Sequence, residues 1–140
     1  AAPHVRPVDQ RQQVGRDAHA HRRLGEANLQ LGNSVAALAH LRAAIELDPT
    51  DDVSRFDLGI VYQEQKDAAA AEREFAEAVR LNPANGRAQG SLGIALGERG
   101  QLQRAERHLR EAIRLDPTDT VARSVLNQVL QLRSAPPKKK

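Results

Sequence analysis

The residues best suited to chemistry in this chain are its five histidines, because imidazole titrates near neutral pH and binds metals readily. Their spacing argues against a site. His19 and His21 stand two apart, which on a helix sends them to different faces. A helical metal pair needs an i, i+4 step, and no two histidines have one. His40 and His108 hold equal positions in a repeat described below, so they read as polar members of that pattern. Cysteine is absent, which removes thiolate metal sites and disulfides together. A catalytic nucleophile would need a base within reach and an oxyanion donor, and no stretch forms a nucleophile elbow. The glycines never form a phosphate-cradling loop after a strand, because no strand is expected. The run AEREFAEAVR supplies i, i+4 charge pairs worth a few tenths of a kcal/mol each, as a solvated helix face does. The expectation is a chain without catalytic residues, cofactor or metal, and without enzymatic activity.

Binding is the remaining possibility, and composition narrows the partner. The net charge of +3 comes wholly from Lys138, Lys139 and Lys140; without them 18 basic residues face 18 acidic ones. A balanced body with 2% aromatic residues lacks the clustered cations and stacking rings of a nucleic-acid surface. The KKK end reads as a solvated, disordered terminus. No stretch approaches the roughly 18 apolar residues of a membrane span, and no signal-peptide pattern is visible. The chain begins AAPH without Met, which suits a processed amino terminus, so cytoplasmic and exported locations both fit.

What positions these residues is a period of 34. LRAAIELDPTDD (41–52) returns as FAEAVRLNPANG (75–86) and LREAIRLDPTDT (109–120), with prolines at Pro49, Pro83 and Pro117. A constant period of this length signals stacked helical repeats. Three units follow, 18–51, 52–85 and 86–119. In their second halves Ala37, Leu41, Ala44 and Ile45 recur as Ala71, Phe75, Ala78 and Val79, then as Ala105, Leu109, Ala112 and Ile113. Steps of three and four place them on one helical stripe, and each proline stops its helix. The first halves share Leu24-Gly25, Leu58-Gly59 and Leu92-Gly93. Each Gly is expected to admit a close helix, with Ala37, Ala71 and Ala105 as its partners. Gly32 and Gly100 suit a left-handed turn, and Lys66 holds that position in unit two at a strain of about 1 kcal/mol. Asp51, Asn85 and Asp119 offer N-caps. Residues 120–133 repeat the first-helix pattern and read as a capping helix over an otherwise open end. Residues 1–17 form an N-terminal extension, disordered over its first residues, with Val8–Arg16 extending the first helix backwards. Residues 134–140 form a disordered basic tail.

These features resemble the tetratricopeptide repeat family: Leu58-Gly59, Tyr62, Ala71, Phe75, Ala78 and Pro83 in unit two, and Leu92-Gly93, Leu96, Ala105, Leu109, Ala112 and Pro117 in unit three. Unit one departs from the pattern with Asn28 at the Tyr62 position and with His21 where the family usually has a large apolar residue. Its packing is therefore expected to be loose, or completed by the N-terminal segment or a partner. The resemblance implies an all-α right-handed superhelical solenoid of three helix-turn-helix repeats plus a C-terminal capping helix. It also implies a concave face lined by the first helices, which in this family serves scaffolds that bind peptides or protein segments.

Some members hold a peptide's carboxylates with a cationic clamp. The matching positions here are Arg22, Glu26, Asp57, Arg87 and Ser91, and Glu26 and Asp57 would repel an anion. The groove is expected instead to be lined by Phe56, Ile60 and Ile94, with Gly90 and Gly97 removing bulk. Arg22, Glu26, Gln63, Arg87 and Glu98 form its expected polar rim. The leading function is a protein-interaction scaffold that receives a protein or peptide segment along this face. The alternatives are a self-assembling homo-oligomer and an accessory domain of a larger enzyme or complex.

Overall fold

The structure, a computed structural model, describes residues 7–136. The disorder expected of residues 1–6 and of the lysine tail falls outside the described residues. Seven α-helices follow one another there: α1 Pro7–Gln30, α2 Ser34–Leu47, α3 Asp52–Glu64, α4 Ala68–Leu81, α5 Gly86–Glu98, α6 Leu102–Leu115 and α7 Thr120–Ser134. The chief partners are α1 with α2, α3 with α4 and α5 with α6, and the pairs join through α2–α3, α4–α5 and α6–α7. Each helix thus packs mainly on its chain neighbours, the arrangement of a solenoid. Residues 7–17 are helical and continuous with the rest of α1.

Local chemistry accounts for the boundaries. Asp51 accepts hydrogen bonds from the amides of Val53 and Ser54, Asn85 from Ala88 and Asp119 from Ala122. Each satisfies donors that a helix start leaves free. Between α2 and α3, the Asp48 carboxylate accepts from the Thr50 amide at 3.1 Å and the Thr50 hydroxyl at 2.7 Å, and Asp116 does the same for Thr118. The turns inside the pairs place Gly32 at φ 77°, Lys66 at φ 64° and Gly100 at φ 79°. Lys66 alone among the described residues adopts this left-handed conformation with a side chain attached.

The phased glycines do admit a close helix, but their partners differ from those expected. A Cβ on Gly59 would stand 2.5 Å from the Phe75 ring, one on Gly93 2.7 Å from Leu109, and one on Gly25 2.6 Å from Leu41. The missing side chain makes room for the large residue of the facing stripe, not for Ala37, Ala71 or Ala105. That large residue sits in the middle of its stripe and points straight at the partner backbone, so each pair closes by a knob entering a gap. Phe75, Leu41 and Leu109 are fully buried as a result.

A polar contact also recurs across every pair at one register. His21 Nδ1 lies 3.2 Å from His40 Nδ1, Arg55 bonds Glu74 at 3.1 Å, and His108 donates to Gln89 at 2.8 Å. His40 and His108 are therefore polar positions of the repeat. Burial, with Arg107 and Arg104 adding, holds His108 below the ordinary imidazole range. Asn28, at the Tyr62 position, turns back to donate to the Leu24 carbonyl at 2.8 Å. Among the described residues no helix is long and apolar enough to cross a membrane, and no three His, Cys, Asp or Glu side chains gather as a metal site would require.

Candidate functional site

The first helices of the three units, α1, α3 and α5, bound a cleft of about 470 Å³ with no second helix among its walls. Its floor and sides include Glu26 and Leu29 from α1, Asp57, Ile60 and Glu64 from α3, and Arg87 from α5. A shallower recess of about 290 Å³ continues beyond Ile60 and Arg87, which line both. There Ile94, Gly90 and Ser91 of α5 meet Val121 of α7. The two spaces form one groove along α1, α3 and α5, with Glu26, Asp57 and Glu64 toward α1 and mainly apolar side chains, beside Asp119, toward α7.

The repeat explains why these side chains share a face. Glu26, Ile60 and Ile94 hold one register 34 residues apart, and Val53, Arg87 and Val121 hold another. Equal register in a solenoid means equal placement relative to the axis, so each series runs as a row along the groove. Leu29, Val53, Glu64 and Val121 were not singled out by sequence, although stepping by one period from Arg87 reaches both valines. Asp57 entered only as a residue that would repel an anion.

The remaining expected residues are distributed differently. Phe56 borders the apolar recess but is only 4% exposed, with its ring 5.6 Å from that of Phe75. It belongs to the core, and the Arg87 guanidinium covers it at 4.7 Å. Gly90 lines the recess together with Asp119, and a Cβ there would stand 3.7 Å from both Asp119 and Ala112. Gly97 faces Val129 and Ala105, so the bulk it spares belongs to the packing of α5 on α6 and α7. Gln63 and Glu98 line a separate cleft of about 400 Å³ at the turn end, with Glu72 and Arg99. Arg22 is engaged by Asp51 at 3.2 Å and faces Glu26 at 3.8 Å.

Asp57 is the unusual group. It is 7% exposed, and its Oδ2 has no hydrogen-bond partner among the described residues. Burial, reinforced by Glu26, pushes its carboxyl up to about 6, while Arg87 and Arg22 pull weakly the other way. Neither arginine forms an ion pair with it. A carboxylate kept from water and left without a donor is costly in the free protein.

A solenoid of paired helices, each unit repeating after 34 residues, is the architecture of a helical repeat protein. The chain belongs to the tetratricopeptide repeat family, whose model matches residues 8–52 and 56–120. No curated protein sequence matches it. Among solved structures it is similar to the first repeat domain of Spaghetti (RPAP3) bound to the HSP90 peptide SRMEEVD, at 22% identity and TM-score 0.80, over 86% of this chain and 95% of that one. The OM64 domain of Arabidopsis is similar at 17% identity and TM-score 0.78, over 85% of this chain and 98% of that one. The second repeat domain of human RPAP3, in complex with the HSP70 peptide SGPTIEEVD, is similar at 18% identity and TM-score 0.75, over 84% and 98%.

Proposed function

We propose that the chain is a non-enzymatic interaction scaffold that receives a peptide or protein segment along the groove of α1, α3 and α5. The observation that carries this reading is the continuity of the two recesses across Ile60 and Arg87, which offers one unbroken path past three units. Ile60 and Ile94 are partly buried on that path, resting against the core with part of each side chain open to the groove. Apolar side chains collected in a groove rather than scattered are what an extended or helical segment can cover. Two similar domains hold peptides in their solved structures, which supports the same use here.

Selection from a random-peptide display library tests it. Peptides are expected to enrich on the wild-type chain and to be lost on the double variant Ile60→Ala, Ile94→Ala, assayed below its melting temperature with its helical circular-dichroism spectrum retained. Equal enrichment on both proteins rejects the groove as the binding site.

A second reading, self-assembly, draws on Leu24, Leu31 and Val35 of unit one, which stand 47%, 75% and 82% exposed. Sedimentation velocity over a wide concentration range separates the two, since only self-assembly gives a sedimentation coefficient that grows with concentration.

A further inference from the structure

We infer that the groove selects segments in which a Lys or Arg side chain sits beside apolar ones, the cation entering between Asp57 and Glu64 and its neighbours resting on Ile60 and Ile94. This deepens the groove reading and rests on it.

The first support is Asp57 itself. Its carboxylate lines the acidic end of the cleft, is more than nine-tenths buried, and has an oxygen with no donor. Oδ2 is closed off from solvent, so the oxygen an incoming group can reach is Oδ1. A largely buried carboxylate with no donor on either oxygen at a groove floor marks a place for one. The donors an incoming segment can bring to a carboxylate most favourably are ammonium and guanidinium, whose bonds are charge-assisted.

The second support is the balance of charge around it. From α1, Glu26 faces Asp57, and Arg22 is held by Asp51. From α5, the Arg87 guanidinium lies over the Phe56 ring, 4.7 Å from its centroid. Asp51, at the start of α3, adds a further negative charge. Glu64 sits farther along the same wall, and its carboxylate accepts one bond at 3.2 Å from Ser34. An acidic segment would therefore place an anion against Glu26, Asp57 and Glu64, while the nearby cations are already engaged, Arg22 by Asp51 and Glu26, Arg23 by Glu26 and Arg87 by the Phe56 ring. A cation instead meets an unpaired carboxylate already stripped of water, so its binding adds little further desolvation cost there. The apolar recess beyond Arg87 then has Ile60 and Ile94 for the adjoining side chains.

The same geometry implies a pH response. Asp57 is half-protonated near pH 6 in the free chain. A cationic ligand therefore binds the ionised form well above that pH and loses the contact as the pH falls through it.

The test uses the library selection with the full chain and reads composition as well as enrichment. Lys or Arg flanked by Leu, Ile or Val is the expected consensus. One enriched peptide, labelled and titrated by fluorescence anisotropy, should bind Asp57→Asn about tenfold more weakly, the loss of one charged hydrogen bond. Glu64→Gln, at an exposed position, should weaken binding less, through charge alone. Wild-type affinity should fall between about pH 7.5 and about pH 5, while that of Asp57→Asn stays level. An acidic or uncharged consensus, displaced by the Ile60 and Ile94 changes, overturns the cation preference and leaves the groove standing. Unchanged affinity of a basic peptide for Asp57→Asn, with melting retained, overturns it too. Enrichment no greater than on the Ile60, Ile94 double variant removes both readings.

Discussion

At the scale of single residues, two side chains hold conformations or charges that cost stability, for different reasons. Asp57 keeps its proton in the folded chain up to about pH 6, whereas its ordinary value is 3.8. Between those values the folded state binds more protons than the unfolded state, so stability falls as pH rises through the window. Asp57→Asn removes that loss. Chemical denaturation should find the variant more stable than wild type at about pH 8, by on the order of 2 kcal/mol, with the difference shrinking toward pH 4. A difference independent of pH would mean that packing, not charge, separates the two proteins. Lys66, at φ 64°, carries backbone strain of about 1 kcal/mol that Gly32 and Gly100 avoid in the equivalent turns. Lys66→Gly should therefore leave the melting temperature unchanged or raise it, because relief of strain offsets the greater freedom of Gly in the unfolded chain. A clear fall in melting temperature contradicts that account of the turn.

At the scale of helices, the same substitution has opposite consequences according to what faces it. Gly59→Ala drives a methyl into the fully buried Phe75 ring and should destabilise by about 3 kcal/mol. Gly15→Ala meets nothing within 4 Å on the exposed part of α1 and should stabilise by about 0.5–1 kcal/mol. Urea unfolding of the two variants checks the pair, and a similar effect in both would reject the knob-in-gap packing. The helices, their caps and their stops were legible because proline, Asp/Asn caps and apolar stripes act within a few residues of where they stand. The partners of the glycines were not. Period and phase say which positions are equivalent, yet the neighbour each phase touches depends on how two helices cross. Phase alone therefore puts Phe56 on the groove surface although its ring closes the core against Phe75, and puts Gln63 and Glu98 on the groove rim although they line another cleft. Asp57 lies on α3 in the same register as Arg23 and Ser91, and neither equivalent hints at burial. Its lack of a donor is a property of three helices meeting, which no single segment encodes.

At the scale of the whole molecule, a solenoid is as stable as its units and the interfaces between them, and here the units are unequal. Leu58 and Leu92 are each 3% exposed because a preceding helix covers them, while Leu24 at the same register is 47% exposed. Ion pairs join Glu72 to Arg99 and Glu106 to Arg133 across successive units. The equivalent positions between units one and two are Leu38 and Gln65. Unit one also crosses its helices through His21 and His40, where unit two uses the Arg55–Glu74 ion pair. Each difference weakens the same end, so opening should begin there and leave α4 to α6 closed. Native-state hydrogen exchange should show the amides of α1 and α2 exchanging at lower free energy than those around Phe75 and Leu109. Uniform protection along the chain would instead mean that the array opens all at once. The asymmetry bears on the groove, since α1 supplies Glu26 and Leu29 to its acidic end. A segment seated between Asp57 and Glu64 holds α1 against α3, so protection in α1 should rise on binding more than in α6. If a ligand protects α7 and leaves α1 unchanged, it occupies the apolar recess alone, and the acidic end takes no part in binding.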